Sequence, residues 1–290
     1  MASRDPMDER GRSVRARIEA VCRTIEERLA EEPTLDELAA SADLSTFHFH
    51  RLFRGLVGET VAGYARRLRL ERAAYRIEHG EDDLLVVALD AGYGSHEAFT
   101  RAFRRQFGVP PSEYRSRVKG EADAAPEGPE LEVRIERVEP QVVACARHVG
   151  PYSDVGDAWK ALMKWGWRRS LFGRPTTFGL SHDDPDVTEP ERLRYDACMV
   201  VAPGTTTKGP VALRDLPGGS FAVTEHAGPY AAIGDTYASL FAHVVSRPIG
   251  GRRWTLGDPP AREVYLNDPR RTKPTDLRTE IWMPVHPEIA

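Results

Sequence analysis

The second half of the chain contains the same short phrase twice, and this duplication restricts its fold more than any other feature. HVGPY begins at His148, and HAGPY begins 78 residues later at His226. Further along, residues 184–201 match a stretch that starts at Asp268. Each copy is predicted as a strand, a Gly-Pro-Tyr turn, a helix and two more strands. Two such units can pair into one sheet with both helices on one face.

A domain built from two equivalent units tends to have its cleft on the axis between them, where matched residues converge. In TEIWMPV, strand alternation puts Glu280 and Trp282 on one face. A carboxylate beside aromatic rings suits a flat apolar or cationic ligand. An alternative for the two repeated tyrosines is a packed turn, and for Glu280 a solvated strand position. The predicted effector-binding residues are Tyr152, Tyr230, Trp159, Tyr237, Asp196, Glu280 and Trp282.

The first half has a helical pattern and a repeat of its own. Residues 45–58, STFHFHRLFRGLVG, align with residues 95–108, SHEAFTRAFRRQFG. In each copy two Phe residues four positions apart fall on one helical face suited to a core. A different face carries the exposed candidates, which are Phe47, His50, Arg51 and Arg54 in the first copy and Glu97, Thr100, Arg101 and Arg104 in the second.

Each of these helices is preceded by another helix across a short turn, ADLS in one case and GYGS in the other. Such a pair is a helix-turn-helix unit, whose second helix presents its N-terminal half to a DNA major groove. Residues 45–76 and 94–119 carry net charges of +5 and +4, although the whole chain has −4. The helical half is therefore predicted to bind double-stranded DNA, the alternative being a bundle with solvated arginine faces.

Residues 91–115, AGYGSHEAFTRAFRRQFGVPPSEYR, resemble the signature of the AraC family of transcription regulators, and the resemblance covers about residues 15–118. It implies seven helices, with two helix-turn-helix units joined by a long helix and inserted into successive major grooves. Arg51 and Arg101 match base-reading positions, where arginine can bind guanine O6 and N7. The resemblance implies base-reading positions at Phe47, His50, Arg51, His96, Glu97, Thr100 and Arg101, and the full set of predicted DNA-binding residues also includes Arg54 and Ser95.

The second half, about residues 131–286, resembles the gyrase-inhibitor-like effector-binding domain of multidrug-responsive regulators through HVGPY, HAGPY, RYDACMVV and TEIWMPV. The resemblance implies a central cleft for hydrophobic or cationic small molecules, with Glu280 as the main polar anchor. Some isolated domains of this family hydrolyse cyclopropane-bearing compounds. The prediction is a DNA-binding transcription regulator and not an enzyme; the alternatives for the C-terminal half are a hydrolase using Glu280 and a tyrosine, or a protein-docking module.

The chain is therefore predicted to have two domains, an all-α double helix-turn-helix domain followed by an α+β domain of two strand-helix-strand-strand repeats. The stretch KGEADAAPEGPE has no large apolar side chain, which is typical of a linker. The predicted segments are a disordered extension at 1–13, the DNA-binding domain at 14–118, a linker at 119–130, and the effector-binding domain at 131–290 with repeats at about 131–202 and 209–286.

Composition excludes several other classes of site and location. Cys22, Cys145 and Cys198 lack CxxC spacing, so no zinc site, disulfide framework or cofactor is expected.

The charged N-terminus lacks the apolar core of a signal peptide, and no apolar run approaches the roughly 20 residues of a spanning helix. The expected location is the cytoplasm, away from the membrane. The expected partners are double-stranded DNA and an aromatic or cationic small-molecule effector, with RNA polymerase left open.

Overall fold

The computed structural model describes residues 6–80, 82–124, 131–167, 176–207, 209–258 and 260–288. The chain forms two compact units, which divide between Arg117 and Val118. The first unit is helical, and the second is mostly antiparallel sheet with helices. The predicted two-domain fold class is thereby confirmed. No helix among the described residues is both long and apolar enough to cross a membrane.

The described part of the helical unit contains seven helices, as the sequence predicts. Two helix-turn-helix pairs, α2 with α3 and α5 with α6, stand on either side of the longer α4. In chain order the helices are α1 (Pro6–Glu27), α2 (Leu35–Ser41), α3 (Thr46–Val57), α4 (Val61–His79), α5 (Leu84–Asp90), α6 (His96–Phe107) and α7 (Pro111–Ala124).

Two helices of this unit extend into the segments predicted to flank it, while the predicted domain boundaries themselves stay predictions. Helix α1 begins at Pro6, inside the segment predicted to be disordered, and α7 continues to Ala124, inside the predicted linker. Lys, Glu and Ala, which are good helix formers, account for four of residues 119–124 and favour the continuation of α7. The remaining parts of the two segments, residues 1–5 and 125–130, lie outside the described residues.

The two copies of the helical repeat begin and end in the same way. The side chains of Ser45 and Ser95 accept a hydrogen bond from a backbone N–H of α3 and α6, respectively. Gly58 and Gly108 end these helices in the left-handed conformation, with φ of 86° and 80°. Serine caps and left-handed glycines are the usual start and stop of a helix. The repeated serine and glycine therefore fix both ends of α3 and α6.

The sheet unit has nine strands and two helices among its described residues. All strand pairs are antiparallel, in the order β1-β6-β9-β8-β3-β4-β2-β5, and β7 also pairs with β9. The elements are β1 (Arg134–Val138), β2 (Gln141–Val149), α8 (Gly156–Trp167), β3 (Thr177–Ser181), β4 (Arg194–Val200), β5 (Val211–Leu216), β6 (Gly219–Ala227), α9 (Ile233–Ser246), β7 (Trp254–Leu256), β8 (Ala261–Tyr265) and β9 (Arg278–Pro287).

The duplication is visible in the strand register. Gly179 of β3 pairs with Ala197 of β4, and 84 residues later Glu263 of β8 pairs with Ile281 of β9. The two copies are joined by β3 and β8, where Gly179 lies directly opposite Glu263. The sequence prediction of two paired strand-helix-strand-strand units is confirmed, and the axis between them passes through this junction.

The register also separates the two faces of the sheet, because directly opposed residues of antiparallel strands point to the same side. Ala197, Gly179, Glu263 and Ile281 form one row on what we call the helix face. Ala197 shares a buried cluster with residues of α8, and Ile281 shares another with residues of α9. Both helices therefore cover this face. The opposite side, which we call the reverse face, carries the row Asp196, Leu180, Arg262 and Trp282.

Candidate functional site

The predicted DNA-binding residues of the first unit lie along α3. Phe47 is an aromatic side chain that is 66% exposed, and Arg51 and Arg54 are exposed too, whereas His50 is half-buried. The guanidinium of Arg51 lies over the Phe47 ring, 5.6 Å from its centroid. The other side of α3 packs into the core of the helical unit through Phe49, which is fully buried. This face of α3 is available to a ligand as large as DNA.

In the second helix-turn-helix unit, His96, Glu97 and Arg101 are exposed on α6, and Thr100 is half-buried. Ser95 is the N-cap of this helix, so its side chain has a structural role. Hydrogen bonds from the backbone N–H of Glu97 and from Ser95 lower the pKa of the Glu97 carboxyl. The partial positive charge at the N-terminus of α6 also stabilises the ionised carboxylate. The position of Glu97 in the first turn of α6 is thus favourable for a negative charge, and a contact to cytosine remains a prediction.

The repeated HxGPY phrase forms the same turn twice in the sheet unit. The Nε2 atom of His148 lies 3.0 Å from the carbonyl oxygen of Pro151, and Nε2 of His226 lies 3.2 Å from that of Pro229. The glycines between them have φ of 137° and 135°, which a side chain would strain. Each turn leads directly into the tyrosine that follows the proline. The phrase is repeated because each copy of the domain needs this turn.

On the helix face, Glu263 of β8 lies at the junction of the two copies and accepts three hydrogen bonds. Ser181 Oγ donates to its Oε1 over 2.8 Å, and Tyr237 Oη donates to the same oxygen over 3.2 Å. Tyr265 Oη donates to Oε2 over 2.7 Å. Ser181 belongs to the first copy of the repeat, whereas Tyr237 and Tyr265 belong to the second. Both copies therefore hold this one carboxylate.

Aromatic side chains from both copies surround Glu263. The Tyr195 hydroxyl receives a hydrogen bond from Trp159 Nε1 over 3.0 Å and lies 2.7 Å from the Tyr265 hydroxyl. The Tyr265 ring is in edge contact with Trp159 and with Tyr230, at centroid distances of 5.5 and 5.7 Å. Tyr152 contacts Tyr195 at 6.2 Å. We call this group the aromatic cage; it consists of Tyr152, Trp159, Tyr195, Tyr230, Tyr237 and Tyr265, with Glu263 among them.

The cage carries one negative charge. Burial raises the pKa of the Tyr195, Tyr237 and Tyr265 hydroxyls, and the charge of Glu263 raises it further, so these groups stay protonated and can donate. Within the described part of the chain, Glu263 accepts hydrogen bonds from hydroxyl groups only and forms no ion pair with a basic side chain. Its charge is therefore not neutralised by the protein residues around it.

Four of the seven predicted effector-binding residues, Tyr152, Trp159, Tyr230 and Tyr237, meet in this cage. Tyr152 and Tyr230 differ in their surroundings, which the sequence does not show. The Tyr152 hydroxyl donates to the backbone carbonyl of Asp183 over 2.7 Å, as a packed turn residue would. Tyr230 is 38% exposed and forms the outer side of the cage.

The other three residues, Asp196, Glu280 and Trp282, are on the reverse face, and the prediction that they share a cleft with the tyrosines is wrong. Side chains alternate along a strand, so Tyr195 faces the helices and its neighbour Asp196 faces away. Asp196 is fully buried and bonded to Arg147, Arg214 and His182.

Glu280 has two partners on the reverse face. Arg134 Nη2 donates to its Oε1 over 2.6 Å, and Trp282 Nε1 donates to its Oε2 over 2.9 Å. The predicted alternation, with Glu280 and Trp282 on one face and Ile281 on the other, is confirmed. The helices pack on the side of Ile281, so Glu280 has no access to the tyrosines of the cage, and a hydrolase that pairs it with one of them is not supported.

The residues missed from the sequence are Glu263, Tyr265, Ser181 and Tyr195. A usable signal was present, because an Asp-Pro pair follows β3 at Asp184 and follows β8 at Asp268. Extending the repeat backwards from these pairs aligns TFGLS with AREVY and places Glu263 and Tyr265 on one face of a strand.

Two protein families match this chain. A family described as a helix-turn-helix domain matches residues 38–117, and one described as a GyrI-like small molecule binding domain matches residues 131–286. The regulatory protein SoxS of Escherichia coli K12 is 35% identical over 94 residues, which are 32% of this chain and 88% of SoxS.

A second relative is an HTH-type transcriptional regulator of Bacillus subtilis strain 168, YbfP, which is 37% identical over 95 residues; the match spans 33% of this chain and 32% of YbfP. Among solved structures, an EcmrR–DNA complex in EcmrR-RPo has a TM-score of 0.46 and 14% identity over 87% of this chain and 99% of that chain.

The relatives SoxS and YbfP are regulators, which agrees with the prediction of a regulator and not an enzyme. The two matched families also coincide with the two compact units of the structure. The chain belongs to the AraC-type helix-turn-helix transcription regulators and carries a GyrI-like small-molecule-binding domain after its DNA-binding domain.

Proposed function

We propose that the aromatic cage is the effector site of this regulator, that its effector is a hydrophobic organic cation, and that binding of the cation changes the affinity for an operator. The observation that carries the proposal is the position of Glu263, a carboxylate among six aromatic side chains to which none of the described basic side chains is paired. A ligand cation would supply the missing positive charge.

The surroundings of Glu263 favour an organic cation over a small inorganic one. Calcium and magnesium take several oxygen ligands, most of them carboxylates, carbonyls and waters. Within the described ranges, Glu263 is the one carboxylate that accepts hydrogen bonds from the cage hydroxyls, and the other members of the cage are tyrosine and tryptophan rings. Ring faces attract a weakly hydrated cation, such as a quaternary ammonium or phosphonium group, and its apolar substituents would bury surface against the cage.

The DNA side of the proposal rests on Arg51 and Arg101. We expect Arg51→Ala and Arg101→Ala each to weaken specific operator binding roughly ten- to a hundred-fold, because a bidentate arginine–guanine contact gives about 1–3 kcal/mol of discrimination. The measurement is a gel shift at fixed salt, with competitor DNA, on the region upstream of the coding sequence. Arg192→Ala in the sheet unit removes the same charge from an exposed site and should leave binding unchanged. Wild-type affinity in both variants would show that neither arginine contacts a base.

The regulatory side is tested by adding tetraphenylphosphonium to the same gel shift. We expect a change in operator affinity that saturates with the cation concentration, and no change with triphenylphosphine oxide, which is similar in its aromatic groups but neutral. Tryptophan fluorescence measures cation binding in parallel, since Trp159 is part of the cage. A cation that binds but leaves operator affinity unchanged would argue against regulation, and a cation that does not bind would argue against the effector site.

A further inference from the structure

We propose that Gly179 and Tyr195 make the cage asymmetric and thereby restrict the effector to a single positive charge. This inference rests on the proposed function, because it concerns the ligand of the same cage. It follows from comparing the two copies of the repeat, which form nearly equivalent strands but contribute different side chains at the junction.

The strand register shows which residues of the two copies are equivalent. Gly179 of the first copy corresponds to Glu263 of the second, and both pair with a small or aliphatic residue of the following strand. Ser181 pairs with Tyr195 in the first copy, and at the equivalent positions Tyr265 pairs with Thr279 in the second. Two identical copies with the second sequence would place two carboxylates directly opposite each other at the junction.

Tyr195 occupies the space where the second carboxylate would begin. A Cβ atom built on Gly179 would lie 2.1 Å from the Tyr195 hydroxyl oxygen and 2.5 Å from its Cζ. Real Cβ atoms do not approach so closely, so any other residue at position 179 would displace the ring. Tyr195 is almost fully buried and fixed by the hydrogen bond from Trp159. The absence of a side chain at position 179 is therefore what allows Tyr195 to complete the cage.

The result is one uncompensated charge. Two other carboxylates contribute to the electrostatics of the cage tyrosines, Asp183 at Tyr152 and Asp268 at Tyr230. Asp183 forms an ion pair with Arg194, and Asp268 forms one with Arg270. Of these three carboxylates, all in the described part of the chain, only Glu263 is left to pair with a ligand. A dication bound here would bury its second charge without a partner, which is unfavourable.

Two probes of nearly the same size and shape test the inference on the full-length protein. 1-Methyl-4-phenylpyridinium has one positive charge, and 1,1′-dimethyl-4,4′-bipyridinium has two on the same pair of linked six-membered rings. We expect the wild-type protein to bind the monocation at least about ten-fold more tightly, measured by isothermal titration calorimetry. Equal affinity for the two probes would overturn the inference. If neither probe binds, the proposed function is contradicted as well.

A variant with the side chains of the second copy provides the reciprocal test. In Gly179→Glu/Tyr195→Thr, the junction has two carboxylates, and we expect the preference to reverse so that the dication binds more tightly. Tyr195→Thr alone enlarges the cage without adding a charge and should keep the preference for the monocation. A gain of dication binding in Tyr195→Thr would show that the size of the cage, and not its charge, selects the ligand. If the double variant does not fold, the wild-type comparison and Tyr195→Thr still decide the question.

Discussion

Replacing Glu263 by Gln is expected to weaken the binding of tetraphenylphosphonium about a hundred-fold. Glutamine keeps the size of the side chain and can still accept hydrogen bonds from Ser181 and Tyr237, but it removes the charge. Loss of one partner from a buried charge pair costs about 3–5 kcal/mol, and 1.4 kcal/mol corresponds to a factor of ten. A loss of about 3 kcal/mol, the lower end of that range, corresponds to the expected hundred-fold loss of affinity. Titration calorimetry with the purified full-length variant measures it directly.

The matched control is Glu280→Gln, the same substitution at the carboxylate on the reverse face. Glu280 is bonded to Arg134 and Trp282, and it lies on the side of the sheet away from the cage. We expect its replacement to change cation affinity less than about two-fold. The opposite result, with binding lost in Glu280→Gln and retained in Glu263→Gln, would place the effector on the reverse face and refute the assignment of the cage.

Glu263 and Glu280 show which features of the sheet unit can be predicted from the sequence and which cannot. The duplication predicts the paired units, the turns and the convergence of matched aromatic residues, because a repeated sequence must form a repeated structure. Strand alternation correctly predicts that Glu280 and Trp282 share a face. It cannot say which face the helices cover, since that depends on the packing of α8 and α9 against residues such as Ala197 and Ile281. A shift of one residue along a strand moves a side chain to the other face.

Glu263 is not predicted from the sequence for a second reason, which is that the two copies differ at its position. Asp196 and Glu280 are predicted because both copies have an acidic residue at that position. The carboxylate of the cage has no acidic counterpart, because its equivalent is Gly179. A duplicated domain that binds an asymmetric ligand is free to differ between its copies at the shared site. Differences between aligned repeats are therefore as informative about function as their matches.

In the helical unit the sequence is more informative, because caps and core positions are local. The repeated serine and glycine predict where α3 and α6 begin and end, and the repeated Phe pairs predict the buried side. The exposed face follows from the helical period. What the sequence does not show is that hydrogen bonding at the start of α6 lowers the pKa of the Glu97 carboxyl, since that depends on side-chain conformation.

Asp196→Asn is expected to lower the free energy of unfolding of the sheet unit by about 3–5 kcal/mol. The carboxylate is fully buried and accepts hydrogen bonds from Arg147 over 2.7 Å, from Arg214 over 2.9 Å and from His182 over 2.8 Å. Removing its charge leaves two buried guanidinium groups without this counter-charge. All five tryptophans lie in the sheet unit, so fluorescence during urea unfolding reports on that unit. Asp215→Asn, at an exposed position of β5, is the matched control and should cost less than about 0.5 kcal/mol.

The pH dependence of stability gives a second, independent measurement of the same ion cluster. Burial by itself raises the pKa of Asp196, but the charge of Arg147 and the bond to His182 outweigh it and hold the pKa well below its usual range. Because the pKa is lower in the folded state than in the unfolded one, the carboxylate stabilises the fold above a pH of about 4, and this stabilisation is lost as the pH falls further. Burial lowers the pKa of His182, so the protein also loses stability below about pH 6.5 as the unfolded chain binds a proton first.

The difference in unfolding free energy between wild type and Asp196→Asn should therefore be full at pH 7 and should shrink below pH 4. A difference that stays constant down to pH 2 would mean that the charge of Asp196 does not stabilise the sheet unit.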